Sequence, residues 1–162
     1  MNTNFITTLL VCFVFSIPAT AHQQKQYETD SLYRMIIQTV QEVDFQRMGS
    51  TYHGDAVMVT SKKSTPIKAV LKRWKKEGEQ LQSEGGFARV KFRFLKRIVN
   101  ETTAFESGIY RYSTIDKLGA ETVFYMYFED LNIKKDGKWL TLMEHQTKTA
   151  TEKEWSDLTD WN

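Results

Sequence analysis

Apolar side chains recur with a helical period from residue 29 to residue 86, and from there on they alternate with a period of two. Thr29 and Asp30 are N-cap residue types, followed by a stripe of Leu32, Ile36, Val40 and Val43 that Tyr33 and Ile37 widen. Asp44 predicts the cap of a second, shorter helix carrying Phe45, Met48 and Tyr52 and ending at Gly54. The stretch from Asp55 to Thr60 is rich in β-branched residues and predicts a strand. Thr65-Pro66 predicts the start of a third helix, with proline at its first position. Ile67, Val70, Leu71, Trp74 and Leu81 mark its apolar face, and Gly85-Gly86 ends it.

Beyond residue 86, Val90, Phe92 and Phe94 alternate with Arg89, Lys91 and Arg93, the pattern of a strand with one wet face. Residues 104–113, 121–133 and 138–148 predict three more strands, with Asp136-Gly137 as a hairpin turn. The expected order is α-α-β-α-β-β-β-β. Three helices in the N-terminal half, packed on one face of a curved antiparallel sheet, make an α+β domain.

Composition refines the address. The first 21 of the 162 residues carry no charged side chain. Leu9 to Ile17 is an apolar run too short to span a bilayer, and Ala19-Thr20-Ala21 presents small residues for a signal peptidase. Residues 1–21 therefore read as a signal peptide cleaved before His22, leaving 22–162 as one exported domain, periplasmic or secreted. The single cysteine, Cys12, falls in that leader, so the expected mature chain has no disulfide and no thiolate zinc site. His22, His53 and His145 share no metal-binding spacing, and no G-x-S-x-G elbow or glycine-rich phosphate loop occurs. No metal and no cofactor are expected.

Charge is uneven. Residues 62–97 hold 12 Lys/Arg against 3 Glu, within a chain whose net charge is +2. Lys68, Lys72, Lys75 and Lys76 cluster on the third helix without interleaved aromatics, so they read as a solvated face answered by C-terminal acids such as Glu152, Glu154, Asp157 and Asp160. Neither nucleic acid nor membrane is an expected partner.

In residues 123–128 both strand faces are apolar or aromatic, so both should be covered. One row is Val123, Tyr125, Tyr127 and Glu129, and the other is Phe124, Met126 and Phe128. A hairpin centred near Lys117-Leu118 brings Tyr110, Tyr112 and Glu106 onto the tyrosine row, and Leu142, Glu144 and Gln146 join from the last strand. The candidate ligand-binding residues are therefore Tyr110, Tyr112, Tyr125, Tyr127, Glu129 and Glu144, suited to a small molecule with a polar head. The Phe124 row is the expected surface of a homodimer. Ordinary cross-strand packing with solvent-exposed acids is the competing reading of the same pattern.

A helix pair closing on Tyr52-His53-Gly54-Asp55-Ala56-Val57, a Trp-bearing helix, and strands ending in Asp136-Gly137-Lys138-Trp139 resemble the nuclear transport factor 2-like superfamily, closest to its SnoaL-like and ketosteroid-isomerase-like branches. The resemblance spans residues 28 to about 150 and implies a cone-shaped fold around an apolar pocket, often as a homodimer. It does not imply one reaction. The base position of the isomerases falls on Thr60 and their hydrogen-bonding tyrosine on Ile36, neither of which can do that chemistry. The strand acid has a counterpart at Glu129. The resulting expectation is an exported small-molecule binder without established catalysis. An acid–base enzyme using Glu106, Glu129 or Glu144 with a tyrosine, and a ligand-free structural module, are the alternatives.

Overall fold

The change of period at residue 86 separates the helical half of the chain from four long strands. The computed structural model describes residues 27–161, so the expected leader and the cleavage before His22 lie outside the described residues. The elements are α1 (Asp30–Glu42), α2 (Phe45–Gly49), β1 (Tyr52–Thr60), β2 (Ser64–Pro66), α3 (Ile67–Ser83), β3 (Phe87–Val99), β4 (Thr103–Ile115), β5 (Glu121–Lys135), β6 (Lys138–Ala150) and α4 (Glu152–Ser156). The strands form one sheet in the order β2-β1-β6-β5-β4-β3.

The α+β architecture and the order of the main elements are as expected, with four corrections. β1 runs parallel to β6, so the sheet is mixed rather than wholly antiparallel. Tyr52 and Gly54 belong to β1, because α2 stops at Gly49. Thr65-Pro66 closes the short strand β2 instead of opening α3; Pro66 has an extended ψ of 135° and stands as the N-cap, so the helix begins at Ile67. The C-terminal helix α4 was not expected. A capping box on Thr151 and Glu154 starts it.

Local chemistry explains the junctions. The Asp44 side chain accepts the Arg47 amide at 2.9 Å and caps α2. Asp136 and Gly137 both have positive φ, the conformation a two-residue hairpin turn demands. The β4–β5 loop is drawn tight by Asp116, whose Oδ1 accepts the amides of Leu118 and Ala120. Bulges in β3 near Phe94–Lys96 and in the β5–β6 pairing bend the sheet around the helices.

The inner face packs Tyr33 and Val40 of α1, Met48 of α2 and Ile67 and Val70 of α3 onto Val90, Phe92 and Phe128. On the other face, Trp155 of α4 lies beside Tyr125, and Arg93 of β3 stacks on the Trp155 ring. The chain then crosses the β3 edge and returns to the inner side. There Trp161 is buried against Phe94 and Tyr33. Two of the acids after residue 150 have partners other than the lysines of α3. Asp160 pairs with Arg93 and Asp157 with Lys153, while Lys75 on α3 pairs with Glu79 of its own helix.

Candidate functional site

Between the helices and the concave sheet lies a cavity of about 350 Å³, within the range that holds small organic ligands. Ile36 and Val40 of α1, Phe45 and Met48 of α2 and Trp74 of α3 form its helical wall. Phe92, Tyr110, Tyr112, Phe124 and Met126 form the sheet wall. Arg73, Glu77 and Phe124 are exposed and stand at the open end. Tyr52, Asp130 and Thr141 are buried at the closed end, with Glu144 beside them.

Of the six candidate residues, Tyr110, Tyr112 and Glu144 line this cavity. The other three do not. Tyr125 packs on Trp155, Tyr127 lies under the Lys148 ammonium, and Glu129 pairs with His145 at 3.1 Å, all on the outer face. The cause is a one-residue difference in the hairpin. Its centre is Leu118, so Tyr110 opposes Met126 and Tyr112 opposes Phe124, and every side chain of β5 exchanges faces. The Phe124 row consequently lines the cavity and the core instead of standing on the face away from the pocket. Glu106 points inward but is fully buried in an ion pair with Arg97, away from the cavity. Thr60 makes turn contacts with residues 62 and 63, whereas Ile36 does line the cavity.

The cross-strand partner of Glu144 is Asp130, a residue the sequence reading passed over. The Tyr33 hydroxyl donates to Asp130 Oδ2 at 3.0 Å. The Tyr52 hydroxyl donates to Glu144 Oε2 at 2.9 Å, and the Gln146 amide to Glu144 Oε1 at 3.1 Å. Asp130 Oδ1 is buried and has no hydrogen-bond partner. Burial and the neighbouring Glu144 charge push the Asp130 carboxyl well above its ordinary value. Burial raises Glu144 as well, against the opposing hydrogen bonds from Tyr52 and Gln146.

Tyr33 and Asp130 form a buried tyrosine–acid contact close to the Ile36 and Glu129 positions. Tyr33 lies one helical turn before Ile36, on the same face of α1, and Asp130 is one residue from Glu129. Behind them Asn132 donates to Glu106 at 2.9 Å and lies 3.4 Å from the Tyr33 hydroxyl. Among the described residues no group of three His, Cys, Asp or Glu gathers to hold a metal.

The raised pKa values have a stability consequence. The unfolded chain releases these protons near the ordinary 3.8 and 4.5, while the folded pair holds on to them. The stability they contribute is full below about pH 4 and is lost as pH rises through the folded values. Asp130→Asn should flatten the fall in stability above about pH 4, read as urea midpoints across pH. A variant with the wild-type slope would mean that Asp130 ionises freely in the native state.

No family model and no curated protein sequence matches the chain. Solved structures do. Aln2 from a Streptomyces species superposes with a TM-score of 0.62 at 15% identity, over 73% of this chain and 85% of that one. An NTF-2 like protein of unknown function from Shewanella oneidensis MR-1 gives 0.57 at 16% identity, over 73% of this chain and 94% of that one. A ketosteroid isomerase-like protein from Erwinia carotovora atroseptica gives 0.56 at 14%, over 75% and 92%. At these identities the likeness establishes a shared fold and nothing of the chemistry.

Proposed function

We propose that this chain, which has the nuclear transport factor 2-like fold, uses the space between its helices and curved sheet to bind a small, largely apolar molecule. The observation that carries this reading is the unpartnered Asp130 Oδ1 buried at the end of an aromatic-walled cavity. A buried polar atom without a partner costs free energy, and a ligand that pairs with it recovers that cost. A purely structural module gains nothing from keeping either the void or the orphaned oxygen.

The test is a titration with N-phenylnaphthylamine, an uncharged apolar fluorophore. Saturable one-site binding is expected, weakened roughly tenfold or more when Met126→Trp fills the cavity. Tyr125→Phe on the outer face should leave it intact. Binding that ignores Met126→Trp would overturn the assignment.

The Asp130–Glu144 pair also favours a second reading, acid–base chemistry on the bound molecule. Two carboxyls in one cleft with raised pKa values are suited to holding and passing a proton.

We further infer, from the uncharged leader alone, that the protein works outside the cytoplasm in periplasmic or secreted form. N-terminal sequencing of the exported fraction should begin at His22, and an intact Met1 would reject this address.

A further inference from the structure

Resting on the reading of the cavity as a ligand site, we propose that its occupant is an organic cation. The ligand would be an apolar or aromatic body carrying a protonated amine, with the ammonium donating to Asp130 Oδ1 among the tyrosine and phenylalanine rings.

The polar inventory points this way. Most donors near the carboxyl pair are already committed, since the Tyr33 hydroxyl goes to Asp130 and the Tyr52 hydroxyl and Gln146 amide go to Glu144, while among the described residues the cavity-lining Tyr110 hydroxyl stays uncommitted. Thr141 is committed as well, donating to Asn132 at 2.9 Å. Beside that tyrosine hydroxyl, the buried group left over is an acceptor, Asp130 Oδ1, without a donor. A ligand that brings its own N–H groups completes the set.

Charge agrees with the hydrogen bonds. Three acids line the cavity, Asp130, Glu144 and Glu77. The cationic lining residue is Arg73, which is more than half exposed at the mouth and lies 3.7 Å from Glu77. The nearby guanidinium of Arg97 is held by Asp30 and Glu106, each at 2.7 Å. The titratable groups around Asp130 are Tyr33 of α1, Tyr52 of β1, Glu106 and Tyr110 of β4 and Glu144 of β6, so none of them is a cation. An anionic ligand would find no cation at this end of the cavity.

The walls supply the remaining contact. Tyr110 lies between Phe92 at 6.2 Å and Phe124 at 6.0 Å, and Tyr112 lies tilted against Phe124 at 5.3 Å. Such ring faces attract a desolvated cation through their quadrupoles. A neutral carbonyl ligand is the rival, and it would require the proton to stay on Asp130. The two cases differ in proton balance. Burial holds both carboxyls above their ordinary values; a bound ammonium favours the ionised pair and draws those values down, whereas a neutral acceptor favours the protonated form.

Calorimetric titration of the purified protein with naphthylmethylamine and with naphthylmethanol, its uncharged counterpart, separates these cases. Near neutral pH the amine should bind roughly tenfold tighter than the alcohol or better. Its affinity should fall as the pH is lowered into the range where the pair takes up a proton, and in that range its heat should depend on the ionisation enthalpy of the buffer. Asp130→Asn should shrink the amine-to-alcohol ratio towards one. Glu144→Gln provides the same test should the first variant fold poorly. Alcohol binding as tight as amine binding would overturn the cation and leave the ligand site standing. If neither probe binds, the ligand-site reading falls and takes the cation with it.

Discussion

Replacing Arg97 by methionine should destabilise the protein by about 3–5 kcal/mol, the range found when one member of a buried ion pair is removed. The Arg97 side chain is 8% exposed and Glu106 is fully buried. Arg97 Nε donates to Glu106 Oε1 at 2.7 Å, and Arg97 Nη2 donates to Thr29 Oγ1 at 3.0 Å. Its Nη1 lies 2.7 Å from Asp30 Oδ1, close enough for an ion pair although not aligned as a hydrogen bond. The guanidinium also rests on the rings of Phe94 and Tyr27, at 4.0 and 4.3 Å. Without Arg97, two carboxyls stay in low dielectric with no cation. Urea unfolding would measure the loss, and adding Glu106→Gln to the Arg97 variant should restore part of it. A wild-type midpoint for the single variant would mean that the pair is solvated in the native state.

Gly108→Ala should cost about 3 kcal/mol, the upper end for overpacking, because the obstacle is backbone rather than a movable side chain. A Cβ at residue 108 would lie 2.0 Å from the carbonyl oxygen of Arg93 and 3.0 Å from the Phe94 Cα. These atoms belong to the bulged part of β3 that bends the sheet. Relief therefore means flattening the bend or parting β3 from β4. Either outcome lowers the urea midpoint and changes near-ultraviolet circular dichroism, since Tyr33, Phe92, Phe94 and Trp161 pack together beside that bulge. An unchanged midpoint would show that β3 yields at no cost.

The helices and long strands were legible because each keeps one period over many residues. Tyr33, Ile36 and Val40 cannot all share one face of a strand, and Val90, Phe92 and Phe94 cannot all share one face of a helix. The inward row of β5 was not legible, because Phe124-Tyr125-Met126-Tyr127 is apolar or aromatic on both faces and its pattern does not name an inside. Only the turn could decide, and one residue in its centre separates Tyr125 from Phe124. Asp116 and Gly119 carried that signal, since the side-chain bonds of Asp116 and the positive φ of Gly119 define a five-residue loop. Asp130 was hidden for the same reason. Its neighbour Glu129 took the place on paper that Asp130 occupies in space.

The path of the chain beyond α4 bears on how the protein reaches this state. Tyr33 and Trp161 stand near opposite ends of the described residues, yet they share one cluster of rings. Contacts so distant along the chain form late, because the loop they close must first lose its entropy. Until they form, β3 is an unguarded edge of the sheet, with its hydrogen-bonding groups open to another chain. The period of greatest exposure to aggregation therefore comes after the sheet has assembled and before residues 155–161 have closed over its edge.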